Sequence, residues 1–156
     1  MTSDTTPKTI LLKGCNDSQH TVEGQATSQI TPGHLIKYDT SDKTLHVYNG
    51  AANIAVQRMF ALENDVAPTV GVGLGLAIDQ PYAVGDRVYG IIAQTGDHIY
   101  ALVNAGAPAI VFGDLLESNG DGSLVKAGSG TPLARALEAV NNSGGSSEAR
   151  IRCEVL

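Results

Sequence analysis

The chain has 156 residues, a net charge of −6, no Trp, two Phe and two Cys. A chain this long can bury roughly 70% of its unfolded surface, so it needs neither disulfides nor a metal to fold. The core must be aliphatic. The acidic balance and the scattered Lys and Arg exclude nucleic acid as a main partner, because phosphate neutralisation needs clustered cations. No stretch approaches the ~18 apolar residues that a membrane helix requires. The start, MTSDTTPKTI, has no basic region followed by an apolar run and is not read as a secretion signal. A soluble protein with no membrane partner is expected.

Residues 1–9 are polar, Thr-rich and without period, and read as a flexible arm. Residues 10–156 read as a single β domain. HLIKY (34–38) and TLHVY (44–48) are β-prone runs separated by DTSDK, which has turn chemistry. NIAVQRMFALEN (53–64) fits helix and strand about equally, and its neighbours favour strand. GVGLGLAID (71–79), RVYGIIA (87–93), HIYALV (98–103), AIVF (109–112) and SLVKA (123–127) follow as short strands bounded by Gly, Pro, Asn or Asp. LARALEAV (133–140) has helical propensity. Its length, and the Gly/Ser loop tying it to RIRCEVL, make it one half of a hairpin. RIRCEVL alternates strictly, with Ile151, Cys153 and Val155 on one face and Arg150, Arg152 and Glu154 on the other. Many short strands with turns between them predict a mainly β fold, a small antiparallel barrel or sandwich with hairpins and little helix.

A Gly-Asp-x-apolar step occurs at Gly85-Asp86, Gly96-Asp97 and Gly113-Asp114. Gly supplies positive φ, and a short Asp side chain bonds its own backbone two residues on, so the step reads as a strand-entry turn. Asn119-Gly120-Asp121-Gly122 is a hairpin turn. Gly71-Val72-Gly73-Leu74-Gly75 has the wrong spacing and context for a dinucleotide loop and reads as strand. His34 and His46 could meet across the meander, but two ligands do not close a zinc site. Solvent-facing strand histidines are expected instead. Asp114, Glu117, Asn119 and Asp121 lack the spacing of a calcium loop. Cys15 and Cys153 form no metal or redox spacing and are read as reduced thiols, with a disulfide between them the sharper alternative. No GxSxG and no Cys with a nearby His is present. Catalytic, cofactor and metal residues are therefore all read as none.

Six segments carry a resemblance: ITPGHLIKY, MFALENDVA, YAVGDRVYG, TGDHIYALV, IVFGDLLESNGDGSLVKA and LARALEAVNNSGG…ARIRCEVL. In this order, over residues 30–156, they resemble the head decoration (cement) proteins of tailed bacteriophages. The resemblance implies a non-enzymatic virion protein, made in the host cytoplasm, that binds the outer capsid surface and stabilises it. It implies the major capsid protein as partner and a homo-oligomer, a trimer more than a dimer. Thr5, Thr6, Pro7 and Lys8 are then the capsid-contact candidates: Thr favours extended structure, Pro7 prevents helix and Lys8 offers charge to an acidic coat. Such an arm can add a strand to a neighbour's sheet edge. The alternatives are a small β-barrel enzyme with His and Asp converging from distant strands, and a carbohydrate-binding module. Scarce aromatic residues count against sugar stacking.

Overall fold

The structure is a computed structural model and describes residues 6–14, 20–50, 58–65 and 75–156. The strands among them are β1 (Leu11–Lys13), β2 (His20–Ala26), β3 (Leu35–Asp39), β4 (Thr44–Val47), β5 (Met59–Ala61), β6 (Arg87–Ile92), β7 (His98–Val103), β8 (Leu115–Ser118), β9 (Leu124–Lys126), β10 (Ala134–Ala136) and β11 (Ala149–Val155). The strands make two small barrels. The first closes in the order β2-β4-β3-β5-β6; the second runs β7-β11-β10-β8-β9 and returns to β7. The fold is mainly β, as the turn spacing predicts. Each ring is closed by one short parallel pair, β2–β4 and β7–β9, which the hairpin pattern does not announce. β1 lies outside the second ring, against the start of β7.

The two barrels have the same connectivity and matching registers. Ile30 bridges Tyr82 in the first and Ile110 bridges Val140 in the second. Gly33 N–H donates to Ala61 and Gly113 N–H donates to Ala136, at 2.8 and 2.9 Å. Ala61 opposes Gly90, and Ala136 opposes Cys153. Leu62 N–H reaches Tyr89 and Leu137 N–H reaches Arg152. The triplet Ala-Leu-Glu stands at both places, 61–63 and 136–138. The chain is thus an internal duplication at the level of backbone hydrogen bonds.

Several expected elements differ. AIVF is no strand: Ile110 makes a single bridge and Val111 begins a turn. The end of the run at 71–79 is a 3₁₀ turn over Ala77–Asp79. Gly75, at φ 139°, breaks any extended run there. Residues 71–74 and 53–57 lie outside the described residues. β1 and β2 were not anticipated, because β2 is exposed along most of its length and its apolar alternation is faint. The HLIKY/TLHVY, SNGDGS and LARALEAV/RIRCEVL hairpins stand as β3–β4, β8–β9 and β10–β11.

Two apolar clusters fill the molecule. Ile30, Ile36, Leu45, Met59, Tyr82 and Val88 form the first barrel's core. The second cluster fills the second barrel and reaches out to Leu35, Phe60 and Ile91 of the first, with Ile10 and Tyr48. Successive strand residues point to opposite faces. Ile36 therefore points into its own barrel while Leu35 points at the other. Leu35, Phe60 and Ile91 oppose one another across β3, β5 and β6, forming an apolar row that faces the second barrel.

Candidate interaction surface

Four corners share one construction. In each, Gly at φ 88–93° occupies the third place and the fourth residue's N–H donates to the first residue's carbonyl. This is a type II turn, which demands positive φ at that place. The fourth side chain then accepts the first residue's N–H: Asp86 from Ala83 at 2.8 Å, Asp97 from Gln94 at 2.8 Å, Asp114 from Val111 at 2.9 Å. The Gly-Asp aspartates are turn residues, as expected, but they bond three residues back and not two residues on. Asp114 also takes the Lys126 ammonium at 2.8 Å. That bond, with the Val111 N–H, holds its carboxyl below the usual range.

The fourth corner is Thr31-Pro32-Gly33-His34, where His34 Nδ1 accepts the Thr31 N–H at 3.1 Å. A backbone N–H can only donate, so the ring proton sits on Nε2. Nε2 donates to Glu148, 2.9 Å away, in the second barrel. His34 is buried, contrary to the solvent-facing role expected of it. Both its nitrogens are committed, so it has no free position for a substrate proton.

Around this corner the barrels meet. Arg150 of β11 donates to the Pro32 carbonyl at 3.1 Å and to the Ile78 carbonyl, lies 3.6 Å from Asp79, and sits 5.7 Å over the Tyr100 ring. Burial lowers the Arg150 pKa, and the Asp79 charge opposes this. Leu35 N–H donates to the Gly122 carbonyl at 2.7 Å. Ile10 is fully buried in the seam; its N–H reaches Glu63 at 2.6 Å and its carbonyl receives Tyr100 N–H at 2.7 Å. The arm candidates lead into this anchor. Thr6 and Lys8 are exposed, Pro7 is half-buried, and none of the three is in a strand. Thr5 lies outside the described residues.

His46 does not meet His34. It groups with Asp39 and Asp42, their ligand atoms all within 4.8 Å of one another. Two carboxylates and an imidazole suit a divalent transition metal, a grouping the sequence reading missed because it paired the histidines with each other. The duplication accounts for Asp42 without an ion. Its Oδ1 caps the Thr44 N–H and hydroxyl, as Asp121 Oδ1 caps the Ser123 N–H and hydroxyl in the second barrel. Asp39 is likewise a turn acceptor, lowered in pKa by the Ser41 hydroxyl and N–H. The four oxygen-bearing residues at 114–121 serve local bonds: Asp114 holds Lys126, Glu117 accepts the Gly130 N–H, and Asp121 caps Ser123 and accepts the Asn119 side-chain amide. Cys153 is a free thiol, fully buried in β11, its Sγ 3.5 Å from the Ile99 carbonyl, and burial pushes its pKa up to about 12. Cys15 lies outside the described residues.

The most exposed large apolar side chains include Phe112 (71%), Val84 (70%) and Val111 (54%), all on corners, with Leu115 at 40% beside Phe112. The signal was present in the sequence: one Gly-Asp step is preceded by Val-Phe where the others have Ala-Val and Gln-Thr.

No protein-family model matches the chain, and no curated protein matches it. The fold is shared with a solved structure from a bacteriophage head fiber. The N base of the head fiber protein gp8.5 of bacteriophage phi29 superposes with a TM-score of 0.53 over 89% of this chain and 95% of that one, at 16% identity. The likeness spans both barrels and establishes the shared fold.

Proposed function

We propose that the chain is a structural protein of a tailed-phage virion, a non-enzymatic decoration protein that binds the outer capsid surface and stabilises the shell. The observation that carries this reading is the fold, shared over nearly the whole length of a phage head-fiber base. The motif order over residues 30–156 supports it independently. The partners are the major capsid protein and other copies of the same chain, with a trimer favoured over a dimer. The protein is made in the host cytoplasm and resides on the particle.

The arm is the proposed capsid contact, through Thr5, Thr6, Pro7 and Lys8. Ile10 pins the arm's root in the seam, and β1 pairs β7 along one edge. Residues before the pin can then extend onto a neighbour as an added strand. Deletion of residues 2–9 tests this. The expected result is an unchanged melting temperature with weakened shell occupancy; full occupancy after deletion would refute the arm's role.

A further inference from the structure

Because the two barrels are equivalent, each surface of one has a counterpart in the other. In the corner Thr31–His34, Pro32, Gly33 and His34 are buried against the second barrel and Thr31 is half-buried, while the adjoining Leu35 is buried completely. Their counterparts are Val111–Asp114 and Leu115. These are largely exposed, yet they carry more apolar surface, with Val and Phe standing where Thr and Pro stand in the buried copy. A lone exposed apolar side chain needs no explanation. Three together, at positions that are covered or half-covered in the sister barrel, do.

The covering surface has a counterpart too. Leu62 N–H bonds Tyr89 as Leu137 N–H bonds Arg152, which makes Arg87 the equivalent of Arg150. Glu23 opposes Tyr89 as Tyr100 opposes Arg152, so Glu23 stands for Tyr100. Glu23 and Arg87 are exposed and rim a depression of about 300 Å³, completed by Gly24, Gln25 and Gly85. We infer that a second copy of this chain covers the Val111–Leu115 corner with its Glu23/Arg87 face, repeating between chains the contact that joins the barrels within one. This specifies the surface for the self-association proposed above and rests on that part of the reading.

In the contact, Phe112 enters the depression and Arg87 donates to the Phe112 carbonyl, as Arg150 donates to Pro32. Charge agrees. The apolar row Leu35, Phe60, Ile91 becomes Leu115, Arg135, Glu154 in the second barrel. Arg135 and Glu154 find opposite charges in Glu23 and Arg87. An apolar centre with a charged surround is the composition of an interface between chains that fold separately. Because unlike faces meet, the contact is heterologous and closes into a ring or runs on as a chain.

Sedimentation of the full chain, its Phe112→Asp and Arg87→Glu variants, and a Cys15→Ser background carrying Gln25→Cys with Phe112→Cys tests the inference. The expected result is an oligomer that either single variant weakens at least about tenfold with an unchanged melting temperature. The two introduced thiols are expected to cross-link only between copies. An oligomer that survives both variants refutes this face while leaving self-association standing. A wild-type chain that is monomeric in solution and on the shell overturns both, whatever its affinity for shells. Cross-linking by Phe112→Cys alone, like to like, refutes the heterologous geometry.

Discussion

Gly33 and Gly113 occupy the same place in equivalent turns, at φ 93° and 88°, yet differ in surroundings. A Cβ on Gly33 would lie 2.9 Å from the Tyr100 carbonyl, while one on Gly113 meets nothing within 4 Å. Gly113→Ala is therefore expected to cost about 1–2 kcal/mol, the price of a left-handed alanine. Gly33→Ala is expected to cost clearly more, because the seam must also open. Chemical denaturation of the pair measures the difference, and equal losses would mean that the seam is looser than described. His34 is the other residue to probe. A double-mutant cycle with His34→Ala and Glu148→Ala is expected to give a coupling of about 0.5–1.5 kcal/mol, and zero coupling would remove the inter-barrel bond. The Gly-Asp turns were legible in the sequence because only Gly tolerates that backbone. The role of His34 was not, since its partner lies far along the chain in the other barrel and no spacing rule connects them.

At the scale of elements, strands with strict alternation were read correctly. β11 buries Ile151, Cys153 and Val155, as its pattern requires. Its partner β10 followed from length and loop chemistry despite a helical composition. The failures have a common cause. Most of β2, and all of 109–112 but the buried Ile110, lie at the surface, where burial no longer writes a period into the sequence. The turns also set an acid limit. Asp114, Asp39 and Asp121 are all lowered below the ordinary carboxyl value of 3.8. In Asp121 burial pushes upward, but the bonds from Ser123 and Asn119 outweigh it. A lowered folded pKa adds stability that is fully present above the unfolded value and is lost as pH falls through the folded one. Stability is thus expected to hold above about pH 5 and to fall below the ordinary carboxyl range. Urea midpoints across pH for wild type and Asp121→Asn check this. The variant's profile is expected to be flatter in acid, and parallel profiles would contradict the assignment.

At the scale of the whole molecule, the barrels share an apolar seam, which explains why residues 10–156 are proposed to fold as one unit. Phe60 is almost fully buried in the seam, so Phe60→Ala is expected to cost about 3–5 kcal/mol. Phe112→Ala, on the open counterpart surface, is expected to stay within about 0.5 kcal/mol. Melting of the two variants separates a joint that folding needs from one that only assembly uses. The duplication behind this contrast left little in the sequence beyond the repeated Ala-Leu-Glu and the Gly corners. A barrel needs the same backbone bonds in both copies, while its outer side chains answer to different neighbours. The seam could not be read from periodicity, because Leu35 and Ile36 are both apolar and look like one buried strand. The most direct test of the proposed virion role is co-sedimentation of the purified chain with tailed-phage shells assembled from purified coat protein. Saturable binding to intact shells, with a rise in the temperature at which the shells open, is the predicted result. A chain that stays in the supernatant at every ratio, or binds without moving that temperature, would contradict the account.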